Sequence, residues 1–167
     1  MRNLSLQEEL DLILANQFIS GFPDNKKCID WAISLMQRGY DSESLYILAG
    51  LDYYEWYNIE KYFECVCMDL NLNIETEESL LIKKYIKYTI LDAINKKVDP
   101  EVSLGLLSNF YWKYYDKEEY SFFYFLSLEV DLAEYFYASN FSKEERDIYI
   151  LDKLKEYLED DENNYTT

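Results

Sequence analysis

Glycine and proline are scarce in this chain, and their scarcity restricts it to a fold with few tight turns. Only four glycines and two prolines occur among 167 residues. Apolar residues recur at helical spacing through most of the chain, and 49% of all residues are hydrophobic, enough to build a core. The sequence therefore predicts an all-α fold of seven to eight helices in antiparallel pairs. A compact bundle and a short HEAT-like solenoid are both compatible with this pattern.

Local signals place several helix boundaries. Serine followed three residues later by glutamate marks a capping box, aspartate before proline favours a helix start, and glycine often ends a helix. Such signals occur at Ser5 and Glu8, at Ser142 and Glu145, at Asp99 and Pro100, and at Gly39. Weaker signals predict a short third helix capped by Asp41, a fourth helix from near Tyr54, the longest helix from Thr76, and helix over 117–137 with a break near Ser127.

No linker rich in proline, glycine or serine divides the chain. We therefore expect a single acidic helical domain over residues 1–158. Residues 159–167 lack apolar periodicity and are expected to form a frayed acidic tail. A shift of 58 residues superposes Asp41 on Asp99 and Tyr53 on Tyr111. This faint match predicts a repeat of stacked helix pairs, and an irregular bundle with no repeat is the alternative.

The chain contains no histidine, which removes the commonest residue of acid–base and metal chemistry. Gly50 and Gly105 stand alone, so the sequence has no glycine-rich phosphate loop. Residues 69–75 alternate oxygen-bearing side chains as a calcium loop does. However, Ile74 and Leu80 occupy the positions where such a loop needs glycine and a bidentate glutamate. We therefore predict a protein without catalytic residues, cofactor or metal.

Cysteine usage and the N-terminal composition favour the cytoplasm. Cys28, Cys65 and Cys67 are odd in number and are interpreted as reduced, packed thiols. The N-terminal residues include Glu8 and Glu9 where a signal peptide would be apolar, and no stretch approaches the roughly 20 apolar residues of a membrane-spanning helix. The sequence thus predicts a cytoplasmic protein without a membrane partner.

The formal net charge of −17 excludes nucleic acid as a partner and favours a basic protein surface. Two segments combine acids with aromatic rings. Residues 41–81 hold ten acids and one base, and within them residues 52–57 read DYYEWY. Residues 98–138 hold eight acids and two bases around a second group of rings. Tyrosine and tryptophan are common anchors of protein interfaces, and surrounding charges steer an oppositely charged partner. The alternative is that these rings pack the core and the carboxylates keep the protein in solution.

Residues 31–51 read WAISLMQRGYDSESLYILAGL, and residues 58–64 read NIEKYFE. This part of the chain resembles a group of small uncharacterised bacterial helical proteins, some of which are similar to immunity proteins of interbacterial toxin systems. The resemblance implies a cytoplasmic helical protein that inhibits a toxin by binding it. It implies no particular binding residues.

The sequence as a whole predicts a non-catalytic protein-binding module. We expect an immunity or inhibitor protein that neutralises a basic toxin or nuclease by acidic-aromatic docking. A helical scaffold or adaptor that binds peptides or proteins in a groove is one alternative, and a DNA-mimic inhibitor is another. The predicted contact residues are Asp52, Tyr54, Glu55, Trp56, Glu60 and Glu64, with Tyr115, Asp116, Glu118 and Glu119 as a second group.

Overall fold

The computed structural model describes residues 4–21, 23–114, 117–137 and 142–164, and these residues are all-α, which confirms the predicted fold class. No strand occurs within these ranges. The helices are α1 (Leu6–Ser20), α2 (Asn25–Gln37), α3 (Glu43–Gly50), α4 (Trp56–Asp69), α5 (Glu78–Ile94), α6 (Pro100–Lys113), α7 (Ser121–Tyr137) and α8 (Lys143–Asn164). A short 3₁₀ turn at Glu118–Tyr120 precedes α7.

Contacts within the chain gather into two compact units. We call Arg2–Tyr85 the N-terminal unit and Ile86–Thr167 the C-terminal unit. The division lies inside α5, so no change of composition marks it. The tail differs from expectation, because α8 continues to Asn164. The helix thus extends beyond Leu154, the last of its residues that is described as fully buried.

The core of the N-terminal unit is built from the apolar faces of α1 to α4 and the start of α5. Leu10, Ala32, Leu35 and Leu48 are completely buried there. Trp31 packs its ring 5.5 Å from that of Phe63, measured between centroids, and donates its indole N–H to Glu9 at 3.0 Å. Glu9 also accepts two bonds from the Arg38 guanidinium, at 2.8 and 2.7 Å. One carboxylate therefore fastens α1 to α2 at both the buried indole and the surface.

The C-terminal unit buries a separate set of apolar side chains. Helix α6 packs against α7, and both contact α8. Its fully buried members include Leu107, Phe123, Ile150 and Leu154, and Tyr120 is also almost completely buried. The ring of Tyr157 on α8 lies 4.7 Å from that of Phe123, so an aromatic contact closes this core.

Hydrogen bonds from backbone N–H groups to side-chain oxygens confirm the capping signals predicted at Ser5, Ser142 and Asp99. Ser5 and Glu8 form both bonds of a capping box, and so do Ser142 and Glu145. The Asp99 side chain accepts from the N–H of Glu101, with Pro100 as the first helical residue of α6. Gly39 follows α2 with a φ of +90°, a left-handed conformation that glycine adopts without strain.

Other predicted boundaries are wrong by one or two residues, and local hydrogen bonds explain why. Ser42, not Asp41, caps α3, because its hydroxyl accepts from the N–H of Leu45. Helix α4 begins at Trp56, since a turn closed by a backbone bond occupies residues 52–55. The Glu75 carboxylate accepts from the two N–H groups after it, so α5 begins at Glu78 rather than Thr76.

Two further predictions about the helices are wrong. Helix α7 runs without a break through Ser127, and α8, rather than α5, is the longest helix described. The 58-residue shift also superposes unlike structure, because Tyr53 lies in a turn and Tyr111 lies inside α6. The two predicted copies therefore differ at this aromatic position, although α3 falls on part of α6 under the same shift.

All three cysteines are free thiols. Burial raises the pKa of Cys28 and of Cys67 to about 12, so both stay protonated at neutral pH. Cys65 is half-buried on the same helix as Cys67. In the described part of the chain, none of the helices has the length and apolar composition needed to cross a membrane.

Candidate functional site

The connection from α3 to α4 is a tight turn held by its own side chains. The carbonyl of Asp52 accepts from the N–H of Glu55 at 2.9 Å, and its carboxylate accepts from the N–H of Tyr54 at 3.1 Å. The Glu55 carboxylate accepts in return from the N–H of Asp52 at 3.2 Å. Asn25 on α2 donates to the carbonyl of Tyr53 at 2.8 Å. Asp52 and Glu55, both predicted as contact residues, therefore also hold the turn in shape.

This turn presents four aromatic rings to solvent. Tyr54, Trp56 and Tyr57 are 73%, 65% and 66% exposed, and Tyr53 is half exposed. The rings of Tyr53 and Tyr54 lie 3.9 Å apart and their hydroxyls are hydrogen-bonded to each other. Trp56 and Tyr57 meet edge to face at 6.0 Å. The rings thus contact one another in pairs and leave most of their surface accessible.

Two carboxylates continue this surface along α4. Glu60 and Glu64 are exposed and lie one helical turn apart, on the side of the helix that carries Trp56. Among the residues that the structure describes, neither carboxylate has an ion-pair partner. We call the turn and this helix face the acidic-aromatic surface: Asp52, Tyr53, Tyr54, Glu55, Trp56, Tyr57, Glu60 and Glu64. The structure brings together all six members of the first predicted contact group.

A groove of about 250 Å³ adjoins the acidic-aromatic surface within the N-terminal unit. Its apolar lining comes from three helices and two loops: Leu14, Phe18, Pro23, Cys28, Trp56, Ile59, Phe63 and Ile74. Its polar lining includes three glutamates, Glu60, Glu64 and Glu75. Three of the predicted contact residues, Trp56, Glu60 and Glu64, therefore line this groove. Sequence reasoning missed the lining from α1 and from the loop after α4, since those residues join the site only through tertiary packing.

The loop after α4 forms one wall of the groove and is fixed to α1. The side-chain amide of Gln7 donates to the carbonyl of Asn73 at 2.8 Å and accepts from the N–H of Asn73 at 2.9 Å. Gln7 also donates to Asp11, at 3.1 Å. Asp11 is almost completely buried and forms an ion pair with Lys84 on α5, at 3.1 Å. This network fastens the wall to two helices.

The alternating oxygen-bearing residues of this loop have structural roles. Asn71 has a φ of 58°, and the next N–H bonds back to the carbonyl of Cys67 at 2.8 Å, which ends α4. Glu75 accepts from the N–H groups of Glu77 and Thr76 at 3.0 Å each, and these bonds, led by that of Glu77, lower the pKa of its carboxyl. Its negative charge is therefore maintained at the edge of the groove.

The second predicted contact group is only partly described. Tyr115 and Asp116 lie outside the described residues, and the Glu119 side chain is not among those described. Glu118 begins the 3₁₀ turn and is exposed. Tyr120 beside it is buried, so this stretch combines an exposed carboxylate with a core ring.

Four rings of the C-terminal unit, two of them exposed and two half-buried, form a cluster on α6 and α7. Tyr111 stacks on Tyr124 with a centroid distance of 4.3 Å, and Trp112 meets Tyr124 edge-on at 5.3 Å. Phe125 lies 5.6 Å from Tyr124. Trp112 and Phe125 are largely exposed. We call these four residues the helix-pair cluster. The sequence indicated an aromatic segment over 98–138, but not that rings of α6 would stack on rings of α7.

No group of three or more metal-ligating side chains of the kind that could hold an ion occurs among the described residues. Comparison of the chain with protein-family models, with curated proteins and with solved structures found no match in any of the three.

Proposed function

We propose that this protein is a non-catalytic binding module that captures a basic protein through the acidic-aromatic surface. One observation carries the proposal: Tyr54, Trp56 and Tyr57 are exposed together beside Glu60 and Glu64. Both carboxylates lack an ion-pair partner in the described part of the chain, so their charge is available to a ligand. Clustered rings beside unneutralised charge combine the two properties that anchor and steer a partner.

The charge and the exposed rings contribute to binding in different ways. The net charge of −17 attracts a basic protein over about 10 Å at 0.1 M salt, which raises the rate of encounter. Once contact is made, burial of the exposed rings slows dissociation, because large rigid side chains lose little rotamer entropy for the area they bury. This combination suits a partner whose own functional surface is basic.

An immunity or inhibitor protein that neutralises a basic toxin or nuclease is the form of this function that we favour. The family resemblance of residues 31–64 supports it, and a nuclease offers a basic substrate groove that acidic side chains fit. A cytoplasmic, reducing environment belongs to the same proposal. The apolar groove beside Trp56 favours one other candidate, an adaptor that binds peptide segments of several partners.

Affinity capture at two salt concentrations tests the proposal. The wild-type chain is compared with a Glu60→Gln, Glu64→Gln double variant on lysate of the native host. A matched control, Asp131→Asn with Glu144→Gln, removes the same charge from two exposed positions of the C-terminal unit. We expect a basic protein that high salt releases, that the first variant binds weakly and that the control binds normally. Equal capture by both variants, or capture that salt does not affect, would contradict the proposal.

A further inference from the structure

We propose that the groove of the N-terminal unit receives one large apolar side chain of a basic peptide segment, whose flanking lysines or arginines pair with Glu60, Glu64 and Glu75. This inference rests on the proposed function and specifies what part of the partner is recognised. It assigns the groove to the anchor and the three glutamates to the neighbouring charges.

The size and chemistry of the groove favour a single side chain. Its volume of about 250 Å³ lies below the roughly 300–1,000 Å³ of sites that enclose a drug-sized ligand or cofactor. The rings of Phe18, Trp56 and Phe63 and the aliphatic chains of Leu14 and Ile59 line it. An aromatic or large aliphatic residue would exchange water for these contacts, which is the main source of binding energy in such a site.

The charge around the groove selects the flanking residues. Glu60 and Glu64 stand on α4, and Glu75 lies in the loop wall of the same site. The backbone bonds to Glu75 favour its ionised form. Three carboxylates around an apolar cleft repel phosphates and acidic peptides and attract ammonium and guanidinium groups. The occupant is therefore a basic segment of a protein.

The wall of the groove is preorganised for binding. Gln7 holds Asn73 through both its backbone N–H and its carbonyl, and Gln7 in turn donates to buried Asp11, which is paired with the partly exposed Lys84. A wall that is already ordered costs less conformational entropy on binding than a loop that must close. A second copy of this chain is a poor occupant, since it brings another net charge of −17.

Selection from a random peptide library displayed on phage tests the inference without knowledge of the natural partner. The wild-type chain is the bait, and recovered peptides are then measured as labelled synthetic peptides by fluorescence anisotropy. We expect them to share a Trp, Phe or Leu flanked by Lys or Arg. Two variants fill the groove from different sides, Gln17→Trp on α1 and Thr76→Trp on the loop wall. Each should weaken peptide binding by about tenfold or more.

Two controls separate loss of the groove from loss of the fold. Phe125→Ala removes an exposed ring of the C-terminal unit that belongs neither to the groove nor to the acidic-aromatic surface, and it should change peptide affinity by less than about twofold. Circular dichroism and thermal unfolding establish that each filled variant retains its helices. If one of them does not fold, the other carries the measurement, and a Glu60→Gln, Glu64→Gln variant adds a test that leaves the groove open.

The outcomes distinguish this inference from the proposed function. Peptides without basic residues, equal binding to the filled variants, or no enriched peptide would overturn the inference. If the filled variants still capture the salt-sensitive basic partner from lysate, the proposed function stands and the groove is not its docking site. If groove-dependent basic peptides are selected but no basic protein is captured, the inference stands and the proposed function is contradicted.

Discussion

Exposed aromatic rings occur in both units of this chain, but different interactions hold them at the surface. In the acidic-aromatic surface the rings of residues 53–57 are neighbours in sequence, and a turn fixed by Asp52 and Glu55 projects them. In the helix-pair cluster the rings come from α6 and α7 and stack on one another, with Tyr111 and Tyr124 only 4.3 Å apart. Tyr53 and Tyr54 also pair, at 3.9 Å, but all four rings of the first set are exposed, whereas Tyr111 and Tyr124 in the second set are half-buried.

Charge and concavity separate the two regions further. The acidic-aromatic surface borders an apolar groove and carries Glu60 and Glu64, which have no ion-pair partner among the described residues. In the C-terminal unit, the Glu129 carboxylate of α7 accepts a bond from the Tyr149 hydroxyl at 2.8 Å, so one of its oxygens already has a partner within the unit. Exposure of a tryptophan alone is therefore a weak sign of a binding site. Exposure of a tryptophan beside unpaired carboxylates and a groove is a stronger sign of a binding site.

The largest effect on stability is expected from substitutions in the hydrophobic cores of the two units. Leu10→Ala in the N-terminal unit and Leu107→Ala in the C-terminal unit each delete a fully buried side chain and should lower the free energy of unfolding by about 2–5 kcal/mol. Leu106 is the neighbour of Leu107 and is 45% exposed, so Leu106→Ala should cost less than about 1 kcal/mol. Urea denaturation measures all three. Similar losses at Leu106 and Leu107 would show that the side chains of α6 are packed differently from this description.

The next largest effect compares the two exposed tryptophans. Trp56→Ala should weaken binding of the captured basic partner by about 2 kcal/mol or more, since it removes a ring that borders both the surface and the groove. Trp112→Ala should cost less than about 0.5 kcal/mol if the partner does not reach the helix-pair cluster.

Calorimetry of the purified complex measures both tryptophan variants. Both rings are about two-thirds exposed, and thermal unfolding of each variant separates a loss of stability from a loss of binding. Equal losses would remove the distinction between the two regions, and a larger loss at Trp112 would reverse it.

The fold class and the capped helix ends were accessible from the sequence because they depend on neighbours within four residues. The boxes at Ser5 and at Ser142, and the glycine after α2, are signals of this local kind. The division of the chain into two units was not accessible, since it falls inside α5. Boundaries at which side chains compete for backbone donors, as Glu75 does before α5, were also wrong.

The candidate site was predictable only in its contiguous part. Residues 52–64 lie on one turn and one helix, so their proximity follows from helical geometry. Phe18 and Ile74, which line the same groove, are distant in sequence, and the contact between Gln7 and Asn73 spans 66 residues. No local pattern encodes such contacts. The three tryptophans make the same point, because Trp31 is buried while Trp56 and Trp112 are exposed.

Removal of two helix caps, one in each unit, should have a smaller effect on stability, and the two effects should differ in their pH dependence. Ser5→Ala and Asp99→Ala should each lower the free energy of unfolding by about 1 kcal/mol at neutral pH. A hydrogen bond from Lys143 and backbone N–H bonds lower the pKa of Asp99 in the folded state. Because the pKa of Asp99 is lower in the folded state than in the unfolded state, its ionised form stabilises the fold at pH values above the unfolded-state pKa, which is near 4. This stabilisation is lost as the pH falls through the folded-state pKa.

The difference between the wild-type chain and Asp99→Ala should therefore shrink as the pH falls below about 4. The capping box at Ser5 also contains a carboxylate, that of Glu8. The double variant Ser5→Ala with Glu8→Gln removes both side chains of this box and is therefore the matched comparison for Asp99→Ala. Urea denaturation at neutral and acidic pH provides the measurement. A cost of Asp99→Ala that stays constant through this range would mean that the Asp99 charge does not contribute.

The smallest effect concerns the uneven distribution of charge. Residues 41–81 carry ten acids and one base, whereas 98–138 carry eight acids and two bases. Because added salt screens repulsion among carboxylates, moderate salt should raise the melting temperature, with a change in stability below about 1 kcal/mol. Glu60→Gln with Glu64→Gln should reduce this salt dependence more than Asp131→Asn with Glu144→Gln, since the first pair lies in the more acidic segment. A melting temperature that is flat or falls with salt would mean that local ion pairs, such as that of Lys143 with Asp99, already balance the repulsion.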